Sequence, residues 1–454
     1  MDQNSSKFWK LGKKELSTEF FSMNKKGELI IHEGNFKYNV RQLADKYGTS
    51  MEIYMPSVLS KRLDYLFNTV NKISKKFEYD GKFSYHFPMK VNQNKEYISA
   101  MVDAGANLEI SSSNELTLLT KLLDSRNLYS KIDLLCNGPK TEEYSRLIHK
   151  LFSKGLNIIP IIENADELNF FKKFKGSLGI RINLESKVSS HWDKKIDRFG
   201  LTSSEILKIG KINNLKILHY HIGSQITAEA DFILAVTEAF QTYKKLRKIN
   251  PTLDTINIGG GYAIPYEKKK FYSLESLVKR IIKKMKYLSE KEGIPHPNWI
   301  VEWGRYITAP SQITVYKIIA HKDISKGVAK QWYIIDGSFM NDLLDTWAIH
   351  QKWHIVPVNH MQAKRQRVWL AGMSCDSDDK YTDKDGYVLL PKTSDLEEGE
   401  DLYLAVFDTG AYQDAFSSHH CLLSSPTKIV LQDGESWVAR KRESAEVVGK
   451  MFGW

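Results

Sequence analysis

Eight short apolar runs recur between residues 83 and 302, and no other feature constrains the fold as much. They are Phe83–Met89, Ala106–Ile110, Ile132–Cys136, Asn157–Ile162, Leu178–Asn183, Ile217–Ile222, Thr255–Ile258 and Trp299–Glu302. Each is short, nearly free of charge and suited to a strand buried on both faces. Longer amphipathic stretches alternate with them: Pro56–Ser74, Tyr97–Asp103, Asn114–Leu123, Thr141–Phe152, Ala165–Phe174, Ser203–Ile212, Ala228–Ile249 and Leu274–Glu292. Eight buried strands alternating with helices predict an α/β fold, a (β/α)8 TIM barrel.

The rest of the chain has a different texture. Strand-like stretches follow Ala309: Gln312–Ala320, Gln331–Asp336, Arg367–Ala371, Asp401–Phe407 and Lys428–Leu431, with turn signals at Asp336-Gly337 and Asp433-Gly434. A mostly β C-terminal domain is expected over residues 310–454, after a barrel over 56–309. Residues 1–55 form an N-terminal segment whose strand-like part, Glu28–Lys37, is expected to join the β domain. The charged C-terminal end reads as helical.

Composition narrows the function classes. The 454 residues carry 65 Lys and Arg against 54 Asp and Glu, a formal charge of +11. The lysines are dispersed, as in Lys172-Lys173, Lys268-Lys269-Lys270 and Lys283-Lys284, mostly where a solvated helix face belongs, so no nucleic-acid partner is expected. Three widely spaced cysteines, Cys136, Cys375 and Cys421, with no C-x-x-C, are not a disulfide framework. The stretch from Met1 to Lys7 has no signal-peptide character, and no run reaches a membrane span. A cytoplasmic, reducing setting is expected, without membrane contact.

In a barrel of this kind the chemistry sits at the carboxyl ends of the strands. Strand 1 ends in Pro88-Met89-Lys90-Val91-Asn92. Lys90 is there either to use its charge or to snorkel from the barrel mouth. Strand 7 ends in Gly259-Gly260-Gly261, which can wrap an anion or simply make a tight turn. Strand 8 supplies Glu302-Trp303-Gly304-Arg305, a carboxylate and a phosphate fork, or a buried ion pair. Strand 6 gives His219 and His221, two apart and therefore on one strand face, as a metal pair or with one ring stacked on an aromatic cofactor beside Ser224. The further ligands that a metal would need are missing, so no metal is expected. Lysine, glycine loop, arginine, carboxylate and histidine together suit pyridoxal 5′-phosphate.

These motifs, in this order, carry a resemblance. Together with Glu109-Ile110-Ser111-Ser112, Cys136-Asn137-Gly138-Pro139-Lys140, His221-Ile222-Gly223-Ser224-Gln225, Cys375-Asp376-Ser377-Asp378-Asp379 and Gly410-Ala411-Tyr412, the chain resembles the alanine-racemase-fold pyridoxal-phosphate decarboxylases of arginine, ornithine and diaminopimelate. The resemblance implies that Lys90 holds the cofactor as a Schiff base, with Glu109 near it. It implies that His221 stacks on the pyridine ring and Glu302 pairs with the ring nitrogen. Ser224, Gly260, Gly261, Arg305 and Tyr412 would cradle the phosphate. It further implies a homodimer with shared active sites, in which Cys375 reprotonates the α-carbon and Asp376 meets the distal end of an amino-acid substrate. On their own, Cys375 also reads as a small buried residue and Asp376 as a turn former.

Departures from the pattern bear on the substrate. Diaminopimelate decarboxylases usually carry Cys-Glu-Ser where this chain has Cys375-Asp376-Ser377, and ornithine decarboxylases Cys-Asp-Gly. Asp345-Thr346-Trp347-Ala348-Ile349-His350-Gln351 looks like biosynthetic arginine decarboxylase, yet no long insertion fits between Arg305 and Trp332. The resemblance therefore leans to a compact relative that acts on N-citrylornithine in siderophore biosynthesis. The cluster Lys364-Arg365-Gln366-Arg367 would supply Arg365 and Arg367 to the extra carboxylates, unless it is a solvated strand edge. The alternatives are decarboxylation of free arginine, ornithine, lysine or diaminopimelate in polyamine or lysine biosynthesis, and an inactive homologue that acts as a binding protein.

Overall fold

The computed structural model describes residues 5–186, 188, 198–267, 271–383 and 385–454. The lysine run at 268–270 and the first four residues lie outside this set. The chain divides into two compact units. One comprises Ser60–Ile264 and Phe271–Tyr306; the other comprises Met1–Leu59, Pro265–Lys270 and Ile307–Trp454.

The first unit is a closed barrel of eight parallel strands: Phe83–Pro88, Asn107–Ile110, Asp133–Cys136, Asn157–Ile162, Leu178–Arg181, Leu215–His219, Thr255–Asn257 and Asn298–Val301. Each strand pairs with its neighbours in chain order, and the last closes onto the first through Trp299 opposite Phe83. All eight apolar runs are therefore strands, as the alternation predicts. In the interior, Leu135, Ile159, Ile161, Ile217 and Ile300 form one buried apolar cluster. Gly179 leaves room on the fifth strand for Ile161, whose Cδ1 a Cβ there would meet at 2.3 Å.

The outer helices begin where side chains satisfy their first free N–H groups. Ser112 accepts from Glu115 N at 3.1 Å, and Thr141 accepts from Tyr144 N at 3.2 Å. Thr202 and Glu205 cap each other reciprocally. The 19-residue helix Leu274–Glu292 ends at Gly293, whose φ of 64° is left-handed.

The second unit is mostly β. Its central sheet has the order Val388–Pro391, Arg365–Ala371, Gln331–Ile335, Gln312–Asp323, Met51–Tyr54, Thr427–Gln432, Glu435–Arg440, with Tyr403–Val406 and Ile355–Pro357 joined off that path. Three differences from the sequence reading have physical causes. Met51–Tyr54 is a strand that the pattern hides, because Glu52 interrupts it. The charge is buried against Lys428 Nζ at 3.2 Å and Arg440 Nη2 at 2.8 Å. The segment read as Glu28–Lys37 is a hairpin, Leu29–Glu33 and Phe36–Asn39, which pairs with Phe21–Met23 in a separate three-stranded sheet. It meets the rest of its unit through Leu29 N donating to Val358 O at 2.8 Å. The C-terminal end is only partly helical. Glu435–Arg440 forms a hairpin with Thr427–Gln432, and the helix is confined to Ala445–Lys450.

Candidate active site

At the carboxyl end of the first barrel strand, Lys90 lies in a single helical turn, Met89–Val91. Gly304, just past the eighth strand, lets this turn come close. A Cβ at 304 would stand 2.6 Å from Val91 Cγ2 and 2.8 Å from Pro88 Cγ. The Lys90 ammonium acts electrostatically on Glu109, Glu302 and His221, so one cation meets two carboxyls and an imidazole there.

Glu302 is buried and held by partners from three other strand ends. It accepts from Asn257 Nδ2 at 2.7 Å and from Asn137 Nδ2 at 3.4 Å, and it faces His219 Nε2 at 3.5 Å. Burial pushes its carboxyl up, but His219, Lys90 and the Asn257 amide outweigh burial and keep it below the usual carboxylate range. Glu109 is the contrasting case. Burial dominates and raises it to about 7, against the pull of Lys90 and the Ser111 hydroxyl, which donates at 2.9 Å. Two carboxyls near one lysine are thus held in different charge states.

His219 and His221 do not share a strand face. The sixth strand ends at His219, and His221 belongs to the loop beyond it. The loop turns because Gly259 packs against it, where a Cβ would stand 2.3 Å from Tyr220 O. His221 Nδ1 accepts from Gly223 N at 2.9 Å, which puts the proton on Nε2. Burial first, then Lys90 and Arg181, hold the ring well below its usual pKa, so it is neutral at neutral pH. Its Nε2 would be 3.1 Å from a Cβ at Gly260, and Glu302 O would be equally near. Gly261 has φ of 107°, and its carbonyl accepts from Ile226 N at 2.9 Å. Arg305 Nη2 donates to Ser224 Oγ at 3.4 Å. A neutral ring, a glycine-lined backbone loop and a guanidinium with a hydroxyl thus line the ends of strands 6, 7 and 8.

Sequence reading assigned no role to Asn137, His219 or Asn257 around Glu302, nor to Glu163 and Arg181, which pair at 3.0 Å beside them. Their one signal was position, since each stands at or just past a strand end. Among the described residues, no group of three or more His, Cys, Asp or Glu could hold a metal ion.

Five of the expected site residues lie in the β unit. Cys375 and Asp376 occupy a loop held by buried Asp379, which accepts from Ser374 N at 3.1 Å and Phe339 N at 2.8 Å. Within the single chain, Cys375 Sγ is exposed and lies 3.3 Å from Cys421 Sγ. Tyr412 caps a short helix with φ of 70° and stacks on Phe416. Arg365 and Arg367 share one face of Arg365–Ala371, Arg365 over the Phe8 ring at 3.9 Å and Arg367 over Tyr387 at 4.6 Å. That strand is not at the sheet edge, because Val388–Pro391 lies outside it.

The sequence as a whole matches a known family across both units. Residues 63–309 match "Pyridoxal-dependent decarboxylase, pyridoxal binding domain", and residues 305–410 match the "C-terminal sheet domain" of the same group. The chain belongs to the pyridoxal-dependent decarboxylases. Its cofactor is pyridoxal phosphate, and the donor set at the barrel mouth fits it: an amine, an ionised carboxylate, a neutral ring over a bare glycine, and a guanidinium beside a hydroxyl. Glu109 Oε2 and Asn137 Oδ1 are also buried there without a hydrogen-bond partner.

This decarboxylase is 24% identical to the biosynthetic arginine decarboxylase of Bacteroides thetaiotaomicron, over 91% of this chain and 85% of the relative. It is 30% identical to the one from Prochlorococcus marinus (strain MIT 9215), over 68% of this chain and 52% of the relative. In fold it resembles the arginine decarboxylase of Campylobacter jejuni, with a TM-score of 0.81, 22% identity and coverage of 96% and 89%. The diaminopimelate decarboxylase of M. jannaschii gives a TM-score of 0.79, 24% identity and coverage of 95% and 97%. The Bacteroides alignment runs over 543 positions, more than the 454 residues of this chain, so that relative carries insertions this decarboxylase lacks. Among the described residues, no helix is long and apolar enough to cross a membrane.

Proposed function

We propose that this decarboxylase removes the α-carboxylate of an ornithine-type amino acid, and that N-citrylornithine, a siderophore precursor, is its substrate. The catalytic reading is carried by Glu302, which is kept ionised although buried and lies within the field of Lys90. When bound, pyridoxal phosphate supplies the electron sink for the pair left on the α-carbon as CO2 departs. Lys90 provides the amine that fixes the cofactor. Glu302 holds a proton at the pyridine nitrogen, which a neutral partner could not do as well. His221 covers the ring face without adding charge. Ser224, Gly260, Gly261, Arg305 and Tyr412 bind the phosphate, and Glu109 stands protonated beside Lys90 up to about pH 7. Cys375 delivers a proton to the α-carbon. Cys421 beside it holds the Cys375 thiol above its usual range, hence protonated at neutral pH.

The citryl group ends in carboxylates, and a carboxylate placed near Asp376 without a cation would cost several kcal/mol. Arg365 and Arg367 are the cations that we assign to it. Their stacking on Phe8 and Tyr387 leaves guanidinium edges for bidentate contacts. The compactness of the chain relative to its arginine-decarboxylating relatives supports a different distal group. We place the enzyme in the cytoplasm as a homodimer with shared sites, in keeping with three unbridged cysteines.

A second reading is decarboxylation of free arginine, favoured by the names of the relatives above, with Asp376 binding the distal cation directly. CO2 release from arginine, ornithine, lysine, diaminopimelate and N-citrylornithine separates the two. The citrylated substrate is expected to have the highest kcat/KM, and its KM is expected to rise in Arg365→Ala or Arg367→Ala. Efficient turnover of arginine, with none of N-citrylornithine, would overturn the siderophore assignment.

A further inference from the structure

The loop carrying Cys375 and the turn carrying Cys421, 46 residues apart, are both held by one anchor, residues 338–341. Phe339 N and Met340 N donate to Asp379 Oδ1 at 2.8 and 3.3 Å and fix the Cys375 loop. Asn341 Nδ2 donates to His420 O at 2.9 Å and fixes the turn His420–Leu422. Gly372 makes the first anchor possible, since a Cβ there would sit 2.2 Å from Asp379 Oδ2. In the turn, Cys421 and Leu422 both adopt left-handed backbone, with φ of 59° and 54°. Two successive non-glycine residues rarely do so. The outcome is that Cys421 Sγ lies 3.3 Å from Cys375 Sγ, and His420 Nε2 lies 3.6 Å from Asp376 Oδ2. Both thiols are exposed, whereas the third, Cys136, is buried in the barrel and pushed up to about 12 by burial.

We infer that Cys375 and Cys421 form a reversible disulfide that suspends decarboxylation. The suspension of activity rests on the proposed role of Cys375 as proton donor; the pairing of the thiols does not. The oxidant is a small-molecule disulfide. One cysteine thiolate attacks it, its S–S bond breaks and the first R–S⁻ leaves and is protonated. The other cysteine then attacks the mixed disulfide, the protein S–S bond forms and the second R–S⁻ leaves. Two cysteine thiols are oxidised, and one R–S–S–R is reduced to two R–SH. The protein sulfurs, 3.3 Å apart, need to close to about 2 Å for the bond to form. Cys375 then has no proton to give. The pair lies beside Asp376, so the oxidised form also stiffens the loop assigned to the distal end of the substrate.

The test uses purified holoenzyme and the azo compound diamide. Diamide takes the same two electrons and two protons to become a hydrazine and leaves no lasting group on the thiols. The expected result is a fall from three titratable thiols to one after denaturation, with a peptide map joining Cys375 to Cys421. CO2 release should drop about 100-fold, the order of a lost general acid, and return with dithiothreitol. Cys421→Ser, compared with its own untreated rate, should lose no activity and keep both remaining thiols through the same treatment. If the wild type keeps all three thiols, or if Cys421→Ser is inactivated equally, the pairing is overturned. If the peptides are joined and activity persists, the pairing stands and the role given to Cys375 falls.

Discussion

Glu302 and Glu109 are side chains of identical chemistry whose surroundings shift their carboxyls in opposite directions. Both are buried within the field of Lys90, but Glu302 also has two amides and an imidazole about it, whereas Glu109 has one hydroxyl. Glu302→Gln keeps the shape and removes the charge. It should lower kcat by about 10²–10³-fold, the usual scale for a lost electrostatic contact to the transition state, with cofactor content retained. Glu109 governs a pH effect on stability. Its folded carboxyl binds a proton up to about pH 7, and its unfolded one only to about 4.5. The folded state therefore holds more protons in that window, and stability falls as pH rises through it. Denaturant titration of the cofactor-free protein should show that fall, and Glu109→Gln should flatten it. A slope unchanged by the substitution would remove Glu109 as its source. At this scale the sequence is legible where one residue is chemically conspicuous at a strand end, as with Lys90, His221, Glu302 and Arg305. Asn137 and Asn257 escape, and His219 was singled out for another role, because their contacts come from meeting one carboxylate from three different strands, and spacing along one chain does not encode that.

Strands and turns were legible in proportion to how apolar they are. The eight barrel strands are buried on both faces, so each is a plain apolar run. Met51–Tyr54 was hidden because Glu52 is buried with Lys428, Arg440 and Asp414, and a charged strand residue reads as solvent-facing. Burial pushes Asp414 up, but Lys428 and Arg440 prevail and hold it at about 2. Lys428 links two strands to the helix Gln413–Phe416, and Lys428→Ala leaves two buried carboxylates short of their cation. A loss of about 3–5 kcal/mol is expected in urea unfolding. A loss under 1 kcal/mol would mean that the cluster is solvated. At the glycine loop, a methyl group at 260 would press on His221 Nε2 and Glu302 O, each 3.1 Å away. Gly260→Ala should fold normally and bind pyridoxal phosphate at least tenfold more weakly, as read from cofactor retained after dialysis.

For the molecule as a whole, alternation of strand and helix told the barrel from the β unit, because the hydrophobic period itself changes after Ala309. That an N-terminal strand joins the β unit was legible, but which one was not: Met51–Tyr54 pairs into the sheet rather than Glu28–Lys37, since the partners of a strand are long-range. The proposed homodimer places Lys90 of one protomer with Cys375 of the other. Mixing Lys90→Ala with Cys375→Ala protein should restore up to about a quarter of wild-type activity, because half of the dimers are mixed and each holds one intact site. No recovery, once subunit exchange is demonstrated, would mean that both residues act within one chain. Lys90, at the end of the first barrel strand, is the residue proposed to hold the cofactor. Borohydride reduction of the holoenzyme, followed by peptide mapping, reads this directly by fixing the pyridoxyl group where it is bound. A single labelled peptide containing Lys90 is expected, and none in Lys90→Ala. A label on any other lysine in the wild type would contradict it.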